Sequence, residues 1–229
     1  MVFVMIKKDK NISIAIDGPV GSGKSTISQK CAARLGFIYV DTGALYRALG
    51  VYCKGFEGNS TRLEERIRSS NISLKFADGV QRVFAGGVDY TDKIRTPEAS
   101  MLASAISARA EVRAFLLELQ RSFARENSVV MDGRDIGTVV LPNADIKIFL
   151  TAAPRERAKR RYDELIAKGA DVEFEKVLAD LVKRDYDDSH REHAPLRQAD
   201  DAIVADTTGN TFEESVEAVM RIINERYAH

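Results

Sequence analysis

Short apolar runs alternate with longer amphipathic stretches along most of the chain. Five of these runs predict buried parallel strands, at residues 12–16, 37–40, 128–131, 146–150 and 202–205. The stretches between them have the length of helices. Residues 24–35, for example, carry Ile27, Cys31 and Leu35 at helical spacing and end before Gly36. Strands and helices in this order are typical of βαβ units, so the pattern predicts an α/β fold in which helices flank a five-stranded parallel sheet.

Two regions interrupt this alternation. Residues 72–90 (ISLKFADGVQRVFAGGVDY) predict two or three antiparallel strands, with a hairpin turn at Asp78-Gly79. Antiparallel strands do not fit the middle of a parallel sheet, so we expect residues 59–113 to be an insertion. The arginine-rich residues 155–171 form a second irregular region, whose loop tip is expected near Gly169. Insertions of this kind usually carry substrate contacts.

The most specific local motif lies between the first predicted strand and the first predicted helix. Residues 18–25 (GPVGSGKS) fit the pattern G-x-x-x-x-G-K-[ST] of a phosphate-binding P-loop. Backbone N–H groups of such a loop curl around phosphate oxygens, and the following helix adds the positive end of its dipole. Lys24 would reach the β- and γ-phosphates, and the Ser25 hydroxyl would ligate Mg²⁺. We therefore expect ATP or GTP to bind to Gly18, Pro19, Val20, Gly21, Ser22, Gly23, Lys24, Ser25 and Thr26.

A P-loop alone leaves three function classes open: a kinase for a small acceptor, a GTPase-like switch and a nucleotide-driven binding module. A switch of the Ras type reads guanine with an N-K-x-D motif, and the chain contains no Asn-Lys pair. A motor-like ATPase would usually need a longer chain. A kinase should show a second anion site, built from arginines that face the P-loop.

Two stretches that follow predicted strands can supply that second site. Ligands of open α/β sheets bind beyond the carboxyl ends of the strands. Residues 41–47 (DTGALYR) follow one predicted strand, and residues 129–135 (VVMDGRD) include the end of another and the residues after it. Arg47 is a candidate phosphate ligand. Asp132 occupies a position like that of a Walker-B carboxylate, which holds Mg²⁺ or its waters.

Arginines also cluster in the last third of the chain. Arg157, Arg160 and Arg161 have helical spacing and can project from one face, and Arg184, Asp188 and Arg191 have similar spacing. Like charges crowded on one face repel each other unless an anion lies between them. Because the chain has no net charge, both clusters together favour an anion site over a generally basic surface.

Charge and composition narrow the function classes further. The 229 residues include 34 Lys and Arg and 34 Asp and Glu, which argues against binding to nucleic acid by bulk charge. Cys31 and Cys53 form no CxxC motif and predict reduced core thiols. The first ten residues are apolar and then charged, the reverse of a signal peptide, and no apolar run has the length of a membrane span. We expect a cytoplasmic protein without a nucleic-acid or membrane partner.

Several stretches together resemble one enzyme family. GPVGSGKST, DTGALYRA, IRTPEAS, SARAEVRAFLLELQRSF, DGRDIGTVV and RDYDDSHREHAPL are similar to motifs of the bacterial cytidylate (CMP) kinases, over about residues 14–208. The resemblance implies one P-loop kinase domain over residues 1–229, with a monophosphate-binding insert at residues 59–113 and a lid at residues 155–172. It also implies Mg²⁺-dependent phosphoryl transfer from ATP to CMP or dCMP, giving ADP and the diphosphate. Many relatives have Gly at the position of Ser25, so a Mg²⁺ contact there is not a family requirement.

The resemblance assigns a role to each residue that matches a family motif. Arg47, Arg134 and Arg191 would hold the CMP phosphate, Ser104, Arg113 and Asp135 would read cytosine, and Arg184 with Asp188 would bind the ribose. Thr42, Tyr46 and Asp132 complete the expected CMP site, and Ser25 and Asp132 would hold Mg²⁺ directly or through water. The expected catalytic residues are Lys24, Arg134, Arg157 and Arg161. The three histidines have no expected role, and a monomer that closes its insert and lid over both substrates is expected. The relative use of CMP and dCMP, and the tolerance of UMP, stay open.

Overall fold

The computed structural model describes residues 10–56, 59–77 and 80–227. Its strands are β1 (Ser13–Asp17), β2 (Ile38–Asp41), β3 (Ser73–Ala77), β4 (Val80–Ala85), β5 (Val88–Asp89), β6 (Val129–Gly133), β7 (Ile146–Thr151) and β8 (Ile203–Asp206). Its α-helices are α1 (Lys24–Leu35), α2 (Thr42–Tyr52), α3 (Ser60–Ser69), α4 (Pro97–Ser107), α5 (Ala110–Glu126), α6 (Pro154–Ala167), α7 (Phe174–His190) and α8 (Phe212–Tyr227). A short π-helical turn, Ile136–Val140, follows β6.

The main sheet has five parallel strands in the order β2-β6-β1-β7-β8. All five predicted strands are confirmed, each with ends within two residues of the predicted ones. Strand β1 is central, with Ile14 beside Val130 of β6 and Ile146 of β7. Because β2, β6 and β1 are neighbours, their carboxyl ends bring the P-loop and both charged stretches to one edge of the sheet.

Two apolar cores cover the two faces of this sheet. Alternation along β1 sends Ile14 and Ile16 into the core that includes residues of α1 and α8, whereas Ala15 contributes to the core beneath α2, α4 and α5. Strands buried on both faces are typical of parallel sheets covered by helices. Cys31 and Cys53 are both buried in these cores. Within the part of the chain that the structure describes, no helix is both long and apolar enough to cross a bilayer.

The antiparallel strands predicted after residue 71 are confirmed as the separate sheet β3-β4-β5. Their predicted turn at Asp78-Gly79 lies outside the described residues. Gln81 of β4 ties this small sheet to the main one, since its side chain accepts a hydrogen bond from Asp41 N (2.9 Å) and donates one to Asp41 O (3.1 Å). The predicted boundary at residue 113 falls inside α5, which continues beyond it.

Most of residues 155–171 are helical, so the prediction of irregular structure there is wrong. Pro154 occupies the first turn of α6, and the Arg, Glu, Ala and Lys residues that follow are good helix formers. The predicted loop tip is confirmed, because Gly169 has a φ of 78° between α6 and α7. The arginine-rich stretch is therefore one arm of a helical hairpin.

Candidate active site

The P-loop connects β1 to α1 and approaches the neighbouring strand too closely for side chains. A Cβ atom built on Gly18 would lie 2.0 Å from the carbonyl oxygen of Leu150 in β7. Gly23, which precedes α1, adopts the left-handed conformation with a φ of 82°, a region that favours glycine. Both positions explain why the motif needs glycine here, and they confirm the predicted strand–loop–helix context.

Lys24 is buried at the start of α1 and donates a hydrogen bond to Pro19 O (3.0 Å). Burial, together with the positive charge of Arg134, lowers the pKa of Lys24 from 10.5 to about 7, whereas Asp132 and Asp188 oppose the shift. A buried ammonium with few compensating charges is stabilised when an anion binds beside it. The position of Lys24 therefore suits a phosphate ligand.

Asp132, at the end of β6, accepts hydrogen bonds from Ser25 Oγ (2.7 Å) and from Tyr39 OH (2.9 Å). Burial and the nearby negative charge of Asp41 raise the pKa of Asp132 to about 6. Carboxylate and hydroxyl oxygens are ligands that Mg²⁺ prefers, and Mg²⁺ commonly takes its remaining ligands from water and substrate phosphates. The pair Ser25 and Asp132 fits such a site, although the described residues include no group of three or more acidic, His or Cys side chains suited to hold a metal by themselves.

Asp17 joins the P-loop strand to the loop that carries Arg134 and Asp135. Its carboxylate accepts the N–H groups of Ile136 (2.8 Å) and Gly137 (2.7 Å). Burial raises the pKa of Asp17 from 3.8 to about 7, although both backbone hydrogen bonds oppose the shift. Asp17 thus links the strand before the P-loop to the segment that follows Arg134 and Asp135.

The arginines expected to hold the CMP phosphate are each paired with a carboxylate. Arg47 donates to Asp41 (2.7 Å), Arg134 donates to Asp188 (2.8 Å), and Arg191 donates to Asp135 (3.3 Å). Asp41 is also the N-cap of α2, accepting the N–H of Ala44. These pairs hold the guanidinium groups at the same edge of the sheet as the P-loop.

Arg184 of α7 lies among other positive charges. Its Nε atom is buried and has no hydrogen-bond partner among the residues that the structure describes. Burial lowers the pKa of Arg184, and the charges of Arg134, Arg47 and Arg161 lower it further, while Asp188 raises it. Guanidinium groups brought this close repel each other, which is the pattern expected around an anion-binding site.

A group of polar side chains lies beside these arginines. Arg113 of α5 forms an ion pair with the buried Asp135, stands 5.6 Å from the ring centroid of Tyr46 and donates to Ser107 O (3.3 Å). Ser104 lies one turn earlier on α4, and its carbonyl accepts a hydrogen bond from Ser107 Oγ (3.0 Å). Of the residues predicted to read a base, Arg113 and Asp135 are in direct contact, whereas Ser104 is linked to Arg113 through Ser107. Thr42, also predicted there, is buried and donates to Asp132 O (2.7 Å).

The three arginines predicted to share one face of α6 have different partners. Arg157 is buried and donates to Val20 O in the P-loop (2.6 Å). Arg160 donates to Thr207 O (2.8 Å), and the more exposed Arg161 pairs with Glu164 (2.7 Å). Of these contacts, the one made by Arg157 reaches the P-loop.

With this geometry in place, comparison with known proteins decides the family. A sequence model described as cytidylate kinase matches residues 14–225. The chain belongs to the cytidylate kinase family. It is 50% identical to the cytidylate kinase of Caldicellulosiruptor bescii over 218 residues, which cover 93% of this chain and 96% of that protein. It is 49% identical to the cytidylate kinase of Geobacter sulfurreducens over 220 residues, which cover 95% and 94%.

A solved structure shares the fold of this cytidylate kinase family member. It is an uncharacterized protein from Eubacterium ventriosum, 15% identical in sequence, with a TM-score of 0.53 over 94% of this chain and 99% of that one. At this identity the likeness concerns the fold alone.

Tyr39 and Asp185 are among the side chains at the site that were not predicted from the sequence. Tyr39 reaches Asp132 from the middle of β2, where its position in an apolar run predicts only a strand. Asp185 of α7 contacts both Val20 and Arg157, although no sequence motif separates it from the neighbouring Asp187 and Asp188. Only its helical spacing of three residues from Asp188 places it near the site.

Proposed function

We propose that this member of the cytidylate kinase family transfers the γ-phosphoryl group of ATP to CMP and dCMP, giving ADP with CDP or dCDP. One observation carries the proposal: the buried P-loop lysine and the arginine cluster share one electrostatic environment. The charges of Arg134 and Arg184 both act on the pKa of Lys24. A phosphate donor at the P-loop and a phosphate-bearing acceptor at the arginines would therefore meet directly.

On the donor side, residues 18–26 would hold the ATP phosphates through backbone N–H groups, with Lys24 at the β- and γ-phosphates. Ser25 and Asp132 would hold Mg²⁺, directly or through water. When bound, the ion would neutralise charge on the phosphates. Because Ser25 already donates to Asp132, the two side chains are preorganised for this role.

On the acceptor side, Arg47, Arg134 and Arg191 would bind the CMP phosphate by exchanging their carboxylate partners for it. Arginine suits this exchange, since its planar guanidinium can bind phosphate with two parallel hydrogen bonds. Arg184 and Asp188 would bind the ribose. A ribose hydroxyl could donate to the Asp188 carboxylate, either from the 2′-position, which dCMP lacks, or from the 3′-position.

The base would be selected by the pattern of donors and acceptors. Cytosine carries an N4 amino donor beside an N3 acceptor, and uracil reverses both. Asp135 with Ser104 can accept from N4, and Arg113 can donate to N3. Uracil would leave these charged groups mispaired, and such a mismatch can cost about 10⁴-fold in efficiency. Tyr46, packed beside Arg113, would line the same pocket.

Catalysis would need no covalent nucleophile, because positioning and charge neutralisation suffice for in-line phosphoryl transfer. Lys24, Arg134, Arg157 and Arg161 would stabilise the charge on the transferring group. The insert and the lid would close over both substrates and exclude water, which would otherwise accept the phosphoryl group. A monomer contains all of these groups.

A coupled assay of ADP release across a panel of nucleoside monophosphates, with Mg²⁺-ATP in excess, tests the proposal. We expect turnover with CMP and dCMP well above that with UMP, and exclusion of the larger AMP and GMP. Equal use of UMP and CMP would contradict the assignment of the base pocket. No ADP release with CMP or dCMP would contradict the proposed reaction.

A further inference from the structure

One turn of α7 carries side chains that face the acceptor side of the site and a side chain that faces the P-loop. Arg184 and Asp188 lie on the acceptor side, where Asp188 is bonded to Arg134. Asp185, between them in sequence, instead faces the P-loop. Its Oδ1 accepts the N–H of Val20 (3.1 Å), and its Oδ2 lies 2.7 Å from Nη1 of Arg157.

Arg157 closes a ring of contacts with Asp185 and the backbone of Val20 in the P-loop. The same Nη1 donates to Val20 O (2.6 Å), while Nε donates to Ala152 O (2.8 Å) at the end of β7. Both polar backbone groups of Val20 are therefore held by the pair of Asp185 and Arg157. The next residue leaves little room for adjustment, because a Cβ atom on Gly21 would lie 3.1 Å from Arg157 O.

A helix turn transmits displacement between its side chains because its backbone is hydrogen-bonded and stiff. A ligand that draws Arg184 or Asp188 toward itself also acts on Asp185, and through it on the backbone of the P-loop. We propose that Asp185 is a positioning residue that couples the two substrate sites, so that occupancy of the acceptor site strengthens binding of ATP. The inference rests on the proposed function for the identity of the two ligands.

The coupling is measured as a ratio of affinities. Isothermal titration calorimetry gives the affinity of the full chain for a Mg²⁺-bound, non-hydrolysable ATP analogue, with and without saturating CMP. For the unaltered protein we expect CMP to tighten binding by roughly 5-fold or more, within the usual range for coupled sites. In Asp185→Ala this ratio should fall to about one, because the link between α7 and Val20 is lost.

Two further variants separate coupling from simple loss of structure. Asp187→Ala is the matched control, since Asp187 is an exposed neighbour on α7 that pairs with Lys183, and its ratio should equal that of the unaltered protein. Asp185→Asn keeps an acceptor for the Val20 N–H but loses the ion pair with Arg157, so an intermediate ratio is expected. Circular dichroism melts establish that each variant is folded.

A ratio near one for the unaltered protein would overturn the inference. So would an unchanged ratio in Asp185→Ala, even if both affinities fell, because that result describes a structural residue. If Asp185→Ala does not fold, Asp185→Asn decides, and an unaltered ratio in it overturns the inference. Turnover of CMP by the unaltered protein is scored separately: coupling without turnover would defeat the proposed reaction, and turnover without coupling would defeat only the role of Asp185.

Discussion

The donor side and the acceptor side of the site are built from different parts of the protein. The P-loop is one continuous stretch whose proposed ligand groups are backbone N–H groups, and its path depends on the absence of a side chain at Gly18. The proposed acceptor side draws its side chains from separate segments, among them those that carry Arg47, Arg113, Arg134 and Arg184. The shape of the P-loop depends on the local sequence, whereas the arrangement of the acceptor side depends on the tertiary fold.

This difference has energetic consequences. The path of the P-loop follows from its glycines, whereas arginines proposed for the acceptor side pair with carboxylates, such as Arg47 with Asp41 and Arg134 with Asp188. On this proposal, a monophosphate would bind by replacing these carboxylates, and only the difference between the old and new ion pairs would contribute to affinity. Donor-side changes should therefore lower the rate, and acceptor-side changes should alter which substrate is used.

The largest expected effect is on the donor side. Lys24→Ala should lower kcat by about 10³-fold or more, because it removes charge that stabilises the transferring phosphoryl group. Affinity for CMP should change little. Steady-state kinetics measures both, with Lys30→Ala as a matched control, since Lys30 is exposed on the same helix. Near-normal turnover in a folded Lys24→Ala protein would end the kinase assignment.

The next prediction concerns Asp17, which joins the two sides. Its pKa in the folded protein, about 7, lies above the ordinary value of 3.8, so its contribution to stability is full below about pH 4 and is lost as the pH rises through about 7. Without nucleotide, the difference in unfolding free energy between the unaltered protein and Asp17→Asn should shrink by roughly 3 kcal/mol between pH 5 and pH 8. Urea unfolding at both pH values measures it, with the exposed Asp200→Asn as control. A pH-independent difference would contradict the shift.

On the acceptor side, Arg113→Met should affect the choice between CMP and UMP more than it affects the use of ATP. Loss of a charged hydrogen bond to N3 should lower kcat/KM for CMP by about 100-fold. The ratio of CMP to UMP efficiency should narrow, because the donor that rejects uracil is gone. Arg125→Met, at an exposed position of the same helix, is the control. An unchanged ratio would place the base elsewhere.

The smallest effect is expected at Asp188. If its carboxylate accepts from the 2′-hydroxyl, Asp188→Ala should lose about 10-fold more efficiency with CMP than with dCMP. Parallel kinetics with the two substrates measures this difference. Equal losses would instead indicate contact with the 3′-hydroxyl, or a role confined to holding Arg134.

Local features of the site follow from the sequence, whereas contacts between distant segments do not. The five main strands and the P-loop follow from local periodicity and one motif, so they were predictable to within two residues. The bonds from Tyr39 to Asp132 and from Asp185 to Val20 join segments far apart in the chain, and no local pattern encodes such a pairing. The helical spacing of Arg157, Arg160 and Arg161 agrees with α6, whereas the prediction of irregular structure over residues 155–171 does not.

The bond between Gln81 and Asp41 also bears on solubility. Strand β2 is an edge of the main sheet, and unpaired edge strands are templates for pairing with other molecules. The Gln81 side chain occupies both backbone hydrogen-bonding groups of Asp41 in the manner of a neighbouring strand. A shortened chain without the small antiparallel sheet would expose this part of the edge, so we expect it to aggregate more readily than the full chain.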